Sequence, residues 1–513
     1  MLWKAMLVWL ASHSGCRNST LPYLKAWERA RYLKKIIIPK LALLGSNFGF
    51  CHDMKSTLPA EFIESLGHAL PQTEVIELLS AIDEPPKVSI RLNRAKNITE
   101  ALFQEAVLMD KIHHCDDGFV LKQRPLFTAD PAFHAGAYYV QEANSMVVGE
   151  LIKRLIQNYE DGAIVLDLCA SPGGKSTHIA SHIRPGDLLV ANEVIAGRTN
   201  TLIENLCKWG AGNHLVTSAD ARQWGETRGL FQIVVADMPC SGEGMFRKTP
   251  DAISEWSPSH VELCTVRQKR IAHDIWPSIA EGGVMIYSTC TYNRSENEEN
   301  VNYIVEELGA EIMEFDFPVN LGIIEVEPGK YRMMPHLTQG EGFFFAILRK
   351  TNRERLSLGK TTKVKPSKHL PNFLGNEFLG YELQDGLMVV RNGKWADYFY
   401  NLPALLPGIK QTGVNAGQWN KNQWKVHPEF DLLAKKTVNY PTENLGLTES
   451  LQYYKREFLS IRSNNKGVVG MRWNGLSLGT ANAVNNGYNN LWPMPWRIIQ
   501  SQIQAASLLK ETV

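Results

Sequence analysis

AIVLDLCASPGGKSTHIA, residues 163–180, is the stretch whose reading decides the fold. Its first half is a short continuous run of aliphatic residues, the pattern of a strand buried on both faces. Its second half turns through two glycines and continues as a helix, the strand–loop–helix unit that opens an open α/β sheet. Working outward, apolar runs of the same kind recur between helical stretches: DLLVANEV (187–194), NHLVTSAD (213–220), FQIVVAD (231–237), GGVMIYST (282–289) and GFFFAILRK (342–350). This alternation predicts a parallel sheet with helices on both faces.

Composition bounds what such a chain is for. At 513 residues it has room for two to four domains, and with 44% hydrophobic and 21% charged residues it is neither a disordered chain nor a polytopic membrane protein. Lys plus Arg total 54 against 53 Asp plus Glu, a net charge of +1, so a polyanionic partner must be held by local patches. The 8 cysteines lie far apart with no C-x-x-C pair, which fits neither a disulfide scaffold nor a zinc ribbon and points to a reducing cytoplasm. His113, His114 and Cys115 form a cluster without a partner cluster at ligand spacing, so no metal is expected.

Five segments are expected. Residues 1–53 are read as a non-native or disordered extension: MLWKAMLVWLASHSGC resembles a lipoprotein signal poorly, with His13 where a large aliphatic residue belongs, and Met54 offers a normal start. Residues 54–136 read as a small α+β cap, with helices at 62–70, 73–82 and near 98–107 around the strand VSIRLN (88–93). Residues 137–350 hold the predicted sheet, residues 351–370 a basic linker, and residues 371–513 a β-rich region with strands in GYELQDGLMVV, RNGKWADYFY and GVVGMRWNGLSLGTA.

The glycine loop admits rival readings. GGKS resembles the end of a phosphate-binding loop, but G-x-x-x-x-G-K-[ST] requires glycine where Cys169 stands, and Pro172 removes an N–H from the loop that should cradle phosphate. The dinucleotide fingerprint G-x-G-x-x-G is absent. S-adenosyl-L-methionine, a cation without phosphate, fits better. It needs close backbone approach at a glycine loop and acidic groups at strand ends, and Asp167, Glu193, Asp220 and Asp237 each stand at or near the carboxyl end of a predicted strand. Any one of these is more often a helix cap or turn former; four in register point to a ligand crevice.

Two cysteines follow the last strands of that crevice: Cys240 in MPCSGEGMFRKTPDAISEWSP (238–258) and Cys290 in YSTCTYNRSENEEN (287–300). A lone buried cysteine is usually a small core residue. Two thiols beside a methyl donor have a specific use, because carbon 5 of a pyrimidine becomes nucleophilic only after a thiolate adds at carbon 6. Asp237 is a candidate to hydrogen-bond the base, and Lys175 and Lys248 are candidates to lower a thiol pKa. Spacing does not choose which cysteine attacks.

The ordered set CASPGGK (169–175), DMPCSGEG (237–244) followed by Arg247-Lys248, and YSTCT (287–291) resembles the RNA cytosine-5 methyltransferases of the Sun/nucleolar-protein family, with SIRLN and YYVQEANSM upstream in agreement. Ser171 and Met238 depart from the family pattern, where Ala is usual at both. The resemblance implies a Rossmann-like methyltransferase domain and S-adenosyl-L-methionine as cofactor. It makes Cys290 the nucleophile and Cys240 the release group, and it places cofactor contacts on Cys169, Ala170, Ser171, Pro172, Gly173, Gly174, Lys175, Glu193, Asp220 and Asp237.

The long C-terminal part resembles the bacterial ribosomal small-subunit methyltransferase F group, which implies a PUA-like RNA-binding extension and 16S rRNA in the 30S subunit as substrate. It also implies a monomer with no DNA or membrane partner. The alternatives are a tRNA substrate and a catalytically silent RNA-binding assembly factor. Trp395, Trp419, Trp424, Trp473, Tyr488 and Trp492 are candidates to stack on unpaired bases or to form the core of a small β module. Lys394, Lys410, Lys425 and Arg472, together with Arg247, Lys248, Arg267, Lys269 and Arg270, are candidates for phosphate.

Overall fold

In a computed structural model, the structure describes residues 58–105, 107–352, 378–383, 386–391, 406–420, 423–434, 436, 440–462, 464–500 and 502–511. The predicted extension 1–53, most of the linker 351–370, the strand-like RNGKWADYFY apart from its Arg391, and the residues Lys394 and Trp395 lie outside the described residues.

Helices Ala60–Ala69 and Gln72–Ile82 open the described chain. Strands β1 (Val88–Leu92), β2 (Leu108–Lys111), β3 (Gly118–Leu121) and β4 (Tyr138–Val140) then form an antiparallel sheet of order β2-β3-β1-β4. The helix expected near 98–107 is absent: a single 3-10 turn, Glu100–Leu102, is followed by β2, and Phe103 bridges instead to Leu509 near the C-terminus.

The central sheet is built on β5 (Ile164–Asp167), β6 (Leu188–Asn192), β7 (His214–Thr217), β8 (Phe231–Asp237) and β9 (Ile279–Thr289), parallel and in the order β9-β8-β5-β6-β7. Alternation along each strand sends side chains to two separate cores. Ile164 and Leu166 join Trp224, Ile271 and Ile304 on one face, while Val165 joins Leu151, Ile179 and Leu206 on the other. Each buried Val, Leu or Ile contributes roughly 1.5–3 kcal/mol, so both faces of these short strands are stabilising and the runs read as continuously apolar.

The sixth predicted strand departs from expectation. β10 (Ala310–Met313), β11 (Ile323–Glu327) and β12 (Lys330–Met333) precede β13 (Phe343–Lys350), and β13 runs antiparallel to β9. The physical reason is the connection: β11, β12 and β13 form an antiparallel meander, which needs no helical crossover.

Beyond the linker, β14 (Phe378–Leu383), β15 (Gly386–Arg391), β17 (Val414–Asn420) and β18 (Gln423–Val426) form one small sheet. β19 (Thr442–Asn444), β20 (Gly467–Trp473), β21 (Leu476–Val484) and β22 (Gly487–Asn490) form another. Between β15 and β17 the chain lays β16 (Ile409–Thr412) antiparallel on β7, extending the central sheet. Spatial cores do not follow chain order: Ile90, Leu92 and Tyr138 of the N-terminal sheet pack in one cluster with Met471 of the last sheet and with Tyr453 and Trp492 beside it.

Candidate active site

The strand order reverses between β5 and β8, because the chain moves from β5 to β6 and β7 on one side and to β8 and β9 on the other. Open α/β sheets bind ligands at this switch point, outside the carboxyl ends of the strands. Asp167 ends β5 and Asp237 ends β8, so the two carboxylates flank the crevice.

The loop after β5 turns through Ser171, Pro172 and Gly173 into the helix Gly174–His182. Gly173 has φ +116°, a conformation that a residue with a Cβ rarely adopts, and a Cβ there would lie 3.4 Å from Asn205 and Leu202. Arg198 donates to the Ser171 carbonyl at 2.8 Å and Asn205 to the Pro172 carbonyl at 2.7 Å, so the loop is anchored from outside. Ala170 N–H donates to the Asn192 carbonyl at the end of β6.

Asp167 is fully buried and takes a hydrogen bond from Ser176 Oγ at 2.6 Å, while its Oδ1 has no partner. Burial pushes its pKa up to about 7, a shift the Ser176 bond and the Lys175 charge oppose and the neighbouring Asp237 and Glu193 charges add to. Burial likewise raises the Cys169 thiol, so it stays protonated. Glu193 follows β6, accepting from Ile195 N–H at 2.8 Å and lying 3.5 Å from Arg198. Asp220 is placed differently: it caps the helix Ala221–Gly225 in a reciprocal box with Gln223, and its two oxygens also meet Arg270 at 3.1 and 3.2 Å. Its carboxylate is therefore already engaged in holding the chain.

Asp237 sits where the expected cofactor and substrate sides meet. Lys175 Nζ lies 2.8 Å from its Oδ2 and Ser288 Oγ donates to its Oδ1 at 2.9 Å. Burial alone would lower the Lys175 pKa, but the charges of Asp237, Asp167 and Cys290 outweigh it and hold the ammonium above its usual value. In register, Asp237 of β8 faces Ser288 of β9, so the segments carrying Cys240 and Cys290 leave the sheet side by side.

The two sulfurs approach to 3.1 Å, and both cysteines are free thiols and partly exposed. Contact with Cys290, then burial, then the Cys290 and Glu296 charges push the Cys240 pKa well up, so Cys240 keeps its proton. A buried polar network holds this pair. Glu243 accepts from Tyr292 N–H at 2.8 Å, Asn293 N–H at 3.0 Å, Asn293 Nδ2 at 3.0 Å and Trp256 Nε1 at 3.0 Å. Glu296 accepts from Ser241 N–H at 2.9 Å, Asn293 Nδ2 at 2.7 Å and Gln268 Nε2 at 2.8 Å. Gly244 lets the loops touch: a Cβ there would lie 2.8 Å from the Cys290 carbonyl oxygen. The sequence reading did not single out Glu243, Asn293 or Glu296, although they flank the cysteines in SGEG and YNRSE.

Several predicted contacts are corrected. Arg247 is buried: its Nε donates to Glu341 at 2.8 Å and its Nη1 to the Ala81 carbonyl at 3.2 Å, so it ties the N-terminal helices to the site rather than facing phosphate. Lys248 lies 3.8 Å from the same Glu341, and Arg270 is paired with Asp220 and Asp274. Trp473, Tyr488 and Trp492 are buried core residues, and Arg472 forms a two-pronged pair with buried Asp431 at 2.7 and 2.9 Å. The side chains of Trp419 and Trp424 lie outside the described residues. Arg267, Lys410 and Lys425 are exposed and Lys269 half-buried against Tyr303.

Cys115 meets Glu150 and His178, with their ligand-capable atoms within 4.8 Å of one another. Cys115 Sγ and His178 Nε2 are 3.9 Å apart, against the ~3.5 Å that a tetrahedral zinc with ~2.0–2.3 Å bonds would set. Glu150 is also 3.6 Å from Lys153. Among the described residues no helix is long and apolar enough to cross a membrane.

The buried partnerless Asp167 Oδ1, the glycine turn and Glu193 fit a cationic, ribose-bearing ligand. The fold and crevice define a Rossmann-like S-adenosyl-L-methionine-dependent methyltransferase. A family model described as 16S rRNA methyltransferase RsmB/F matches residues 154–349, and one described as the N-terminal domain of 16S rRNA methyltransferase RsmF matches residues 58–143. The chain belongs to this family. It is 32% identical over 333 residues to ribosomal RNA small subunit methyltransferase F of Aliivibrio fischeri (strain MJ11), covering 62% of this chain and 67% of that one. The counterpart from Aliivibrio salmonicida (strain LFI1238) is 28% identical over 465 residues, 85% of this chain and 97% of the relative. Among solved structures, that of PH0851 superposes with a TM-score of 0.53 at 23% identity, covering 60% of this chain and 71% of that one, a likeness of fold.

Proposed function

We propose that this chain methylates carbon 5 of a cytosine in 16S rRNA of the small ribosomal subunit, with Cys290 as nucleophile and Cys240 as the group that assists release. The observation that carries the reading is the pair of thiols 3.1 Å apart at the switch-point crevice, beside the Asp237–Lys175 pair. The substrate class comes from the relatives, which are named as small-subunit rRNA methyltransferases.

Cys290 sulfur adds to carbon 6 of the base, and the electron pair of the 5,6 double bond shifts to carbon 5. Bound S-adenosyl-L-methionine supplies the electrophilic methyl group that carbon 5 takes up. A base in the crevice then removes the carbon 5 proton; the 5,6 double bond re-forms and Cys290 leaves as a thiolate. Cys240, kept protonated by its sulfur neighbour and by burial, donates its S–H to that departing sulfur. Asp237, steadied by Lys175 and Ser288, is assigned the hydrogen bond to the base. Asp167, Glu193 and the turn 169–175 are assigned to the cofactor, and Asp220 to it indirectly, through the helix it caps. The cap 54–136 and a PUA-like region 371–513, which share one core, are assigned to RNA beside the catalytic domain 137–350.

The test is to incubate the protein with small subunits lacking its modification, digest the RNA and identify the methylated nucleoside by mass spectrometry. The expected product is 5-methylcytidine in 16S rRNA, absent with Cys290→Ala. Any other methylated nucleoside, or undiminished product with Cys290→Ala, overturns the assignment.

A further inference from the structure

On the last sheet a hollow of about 890 Å³ is lined by Phe458, Ser460, Arg462, Asn464, Asn485 and Asn486. It lies between the loop that follows the helix Leu447–Tyr454 and the hairpin turn joining β21 to β22. The loop is clamped to the hairpin, since Leu459 and Tyr488 exchange backbone hydrogen bonds at 3.2 and 2.9 Å. The hollow is therefore part of the packed module and is formed before any ligand arrives.

Its chemistry is selective. Phe458 is 47% exposed and is the one aromatic among the large hydrophobic side chains left exposed in the described residues; Tyr453, Tyr454, Trp473, Tyr488 and Trp492 of the same module are all buried. Burying an exposed phenyl face requires a partner with a flat apolar surface. Arg462 and Lys466 are exposed and form no ion pair among the described residues, and residues 455–466 carry four basic side chains against Glu457 alone. Three asparagines and a serine add uncharged donors and acceptors. A stacking face, an unpaired guanidinium and amide edges on one rigid hollow match an unstacked nucleotide, with its π-face, phosphate and base edge. A protein partner would call for a wider apolar area than one phenyl ring.

We infer that this hollow holds an unpaired stretch of the RNA substrate, one base stacking on Phe458 and its phosphate on Arg462. The inference rests on the rRNA reading above and adds a grip on the RNA outside the catalytic crevice. The side chains on which stacking was expected from sequence, Trp473, Tyr488 and Trp492, instead build the core beneath it.

The experiment uses the full chain and a fluorescein-labelled oligouridylate, which has no cytosine to enter the catalytic site, read by fluorescence anisotropy. Phe458→Ala weakens binding about tenfold or more, and Phe458→Trp retains it. Arg462→Gln weakens it several-fold and lowers the salt-dependence slope by about one. In methylation of small subunits, KM rises in Phe458→Ala while kcat and S-adenosyl-L-methionine affinity hold. If wild type leaves oligouridylate unbound, or Phe458→Ala binds as wild type does, the inference is overturned. If the binding losses appear but wild type transfers no methyl group to small subunits, the hollow stands as an RNA site and the substrate reading fails.

Discussion

Glu243→Gln is the sharpest test of how the two thiols are held. The carboxylate receives donors in two pairs, Tyr292 N–H and Asn293 N–H on Oε2, and Trp256 Nε1 and Asn293 Nδ2 on Oε1. Glutamine has the same shape but only one acceptor oxygen. Turned one way, its NH2 faces the Tyr292 and Asn293 backbone N–H groups and leaves both without an acceptor; turned the other way, it faces Trp256 Nε1 and Asn293 Nδ2, of which Asn293 Nδ2 keeps Glu296 Oε1 and Thr291 Oγ1 and only Trp256 Nε1 is orphaned. At roughly 1–3 kcal/mol for each unsatisfied buried group, the variant loses about 1–3 kcal/mol in the better orientation. The added NH2 also faces the Asn293 amide, which lies on the segment after β9 that carries Cys290. A shift of ~1 Å in a reacting group can cost ~10²-fold in rate, so kcat for methyl transfer falls by about that factor. S-adenosyl-L-methionine affinity, measured by calorimetry, stays near wild type because Glu243 touches no residue of the cofactor turn. Thermal melting and single-turnover methyl transfer read the two effects together. A Gln variant with wild-type melting and wild-type rate would refute the claim that Glu243 fixes the cysteine segments.

Other expected outcomes follow from the same geometry. Asp237→Asn breaks the ion pair with Lys175 and lowers kcat by about 10²-fold while the protein remains folded, as methylation and circular dichroism would report. Trp492→Ala removes a core ring packed 4.7 Å from Tyr454 and costs about 3–5 kcal/mol in a urea melt; loss of RNA affinity with unchanged stability would contradict its core assignment. Lys96 donates to the carbonyls of Ala135 and Lys208, and burial lowers its pKa from 10.5 to about 7. Between those values the unfolded chain binds a proton that the folded chain lacks, so this residue makes stability rise with pH, by up to ~1.4 kcal/mol per unit. Urea midpoints for wild type should therefore gain on those of Lys96→Met between pH 7 and pH 9; parallel trends would show that Lys96 is not the source.

Much of this was legible in the chain because the physics is local. The runs 164–166, 188–191 and 215–216 are apolar since both sheet faces are covered, and the glycine turn marks the first helix. Strand direction was not legible: GFFFAILRK is equally apolar whether it runs parallel or antiparallel, and only the intervening β11 and β12 decide it. The cysteines were legible as chemistry, but their 3.1 Å approach depends on the pairing of β8 with β9. Glu243 and Glu296 read as ordinary polar loop residues because their donors belong to other loops. Arg247 read as a phosphate contact because its partner, Glu341, is 94 positions away. The aromatics near the C-terminus read as core of a small β module more than as a stacking surface, and Trp473, Tyr488 and Trp492 are core, in one cluster with the N-terminal sheet.

The central claim is that a cysteine sulfur bonds to the target base, and covalent trapping tests it most directly. Wild type, Cys240→Ala and Cys290→Ala are each mixed with S-adenosyl-L-methionine and unmethylated small subunits and run on a denaturing gel. With Cys240 unable to assist the departing sulfur, a protein–RNA adduct accumulates in Cys240→Ala and in neither of the other two. Adduct in Cys290→Ala would reverse the roles of the two cysteines. Methyl transfer at wild-type rate by Cys290→Ala, with no adduct from any of the three proteins, would contradict the covalent mechanism itself.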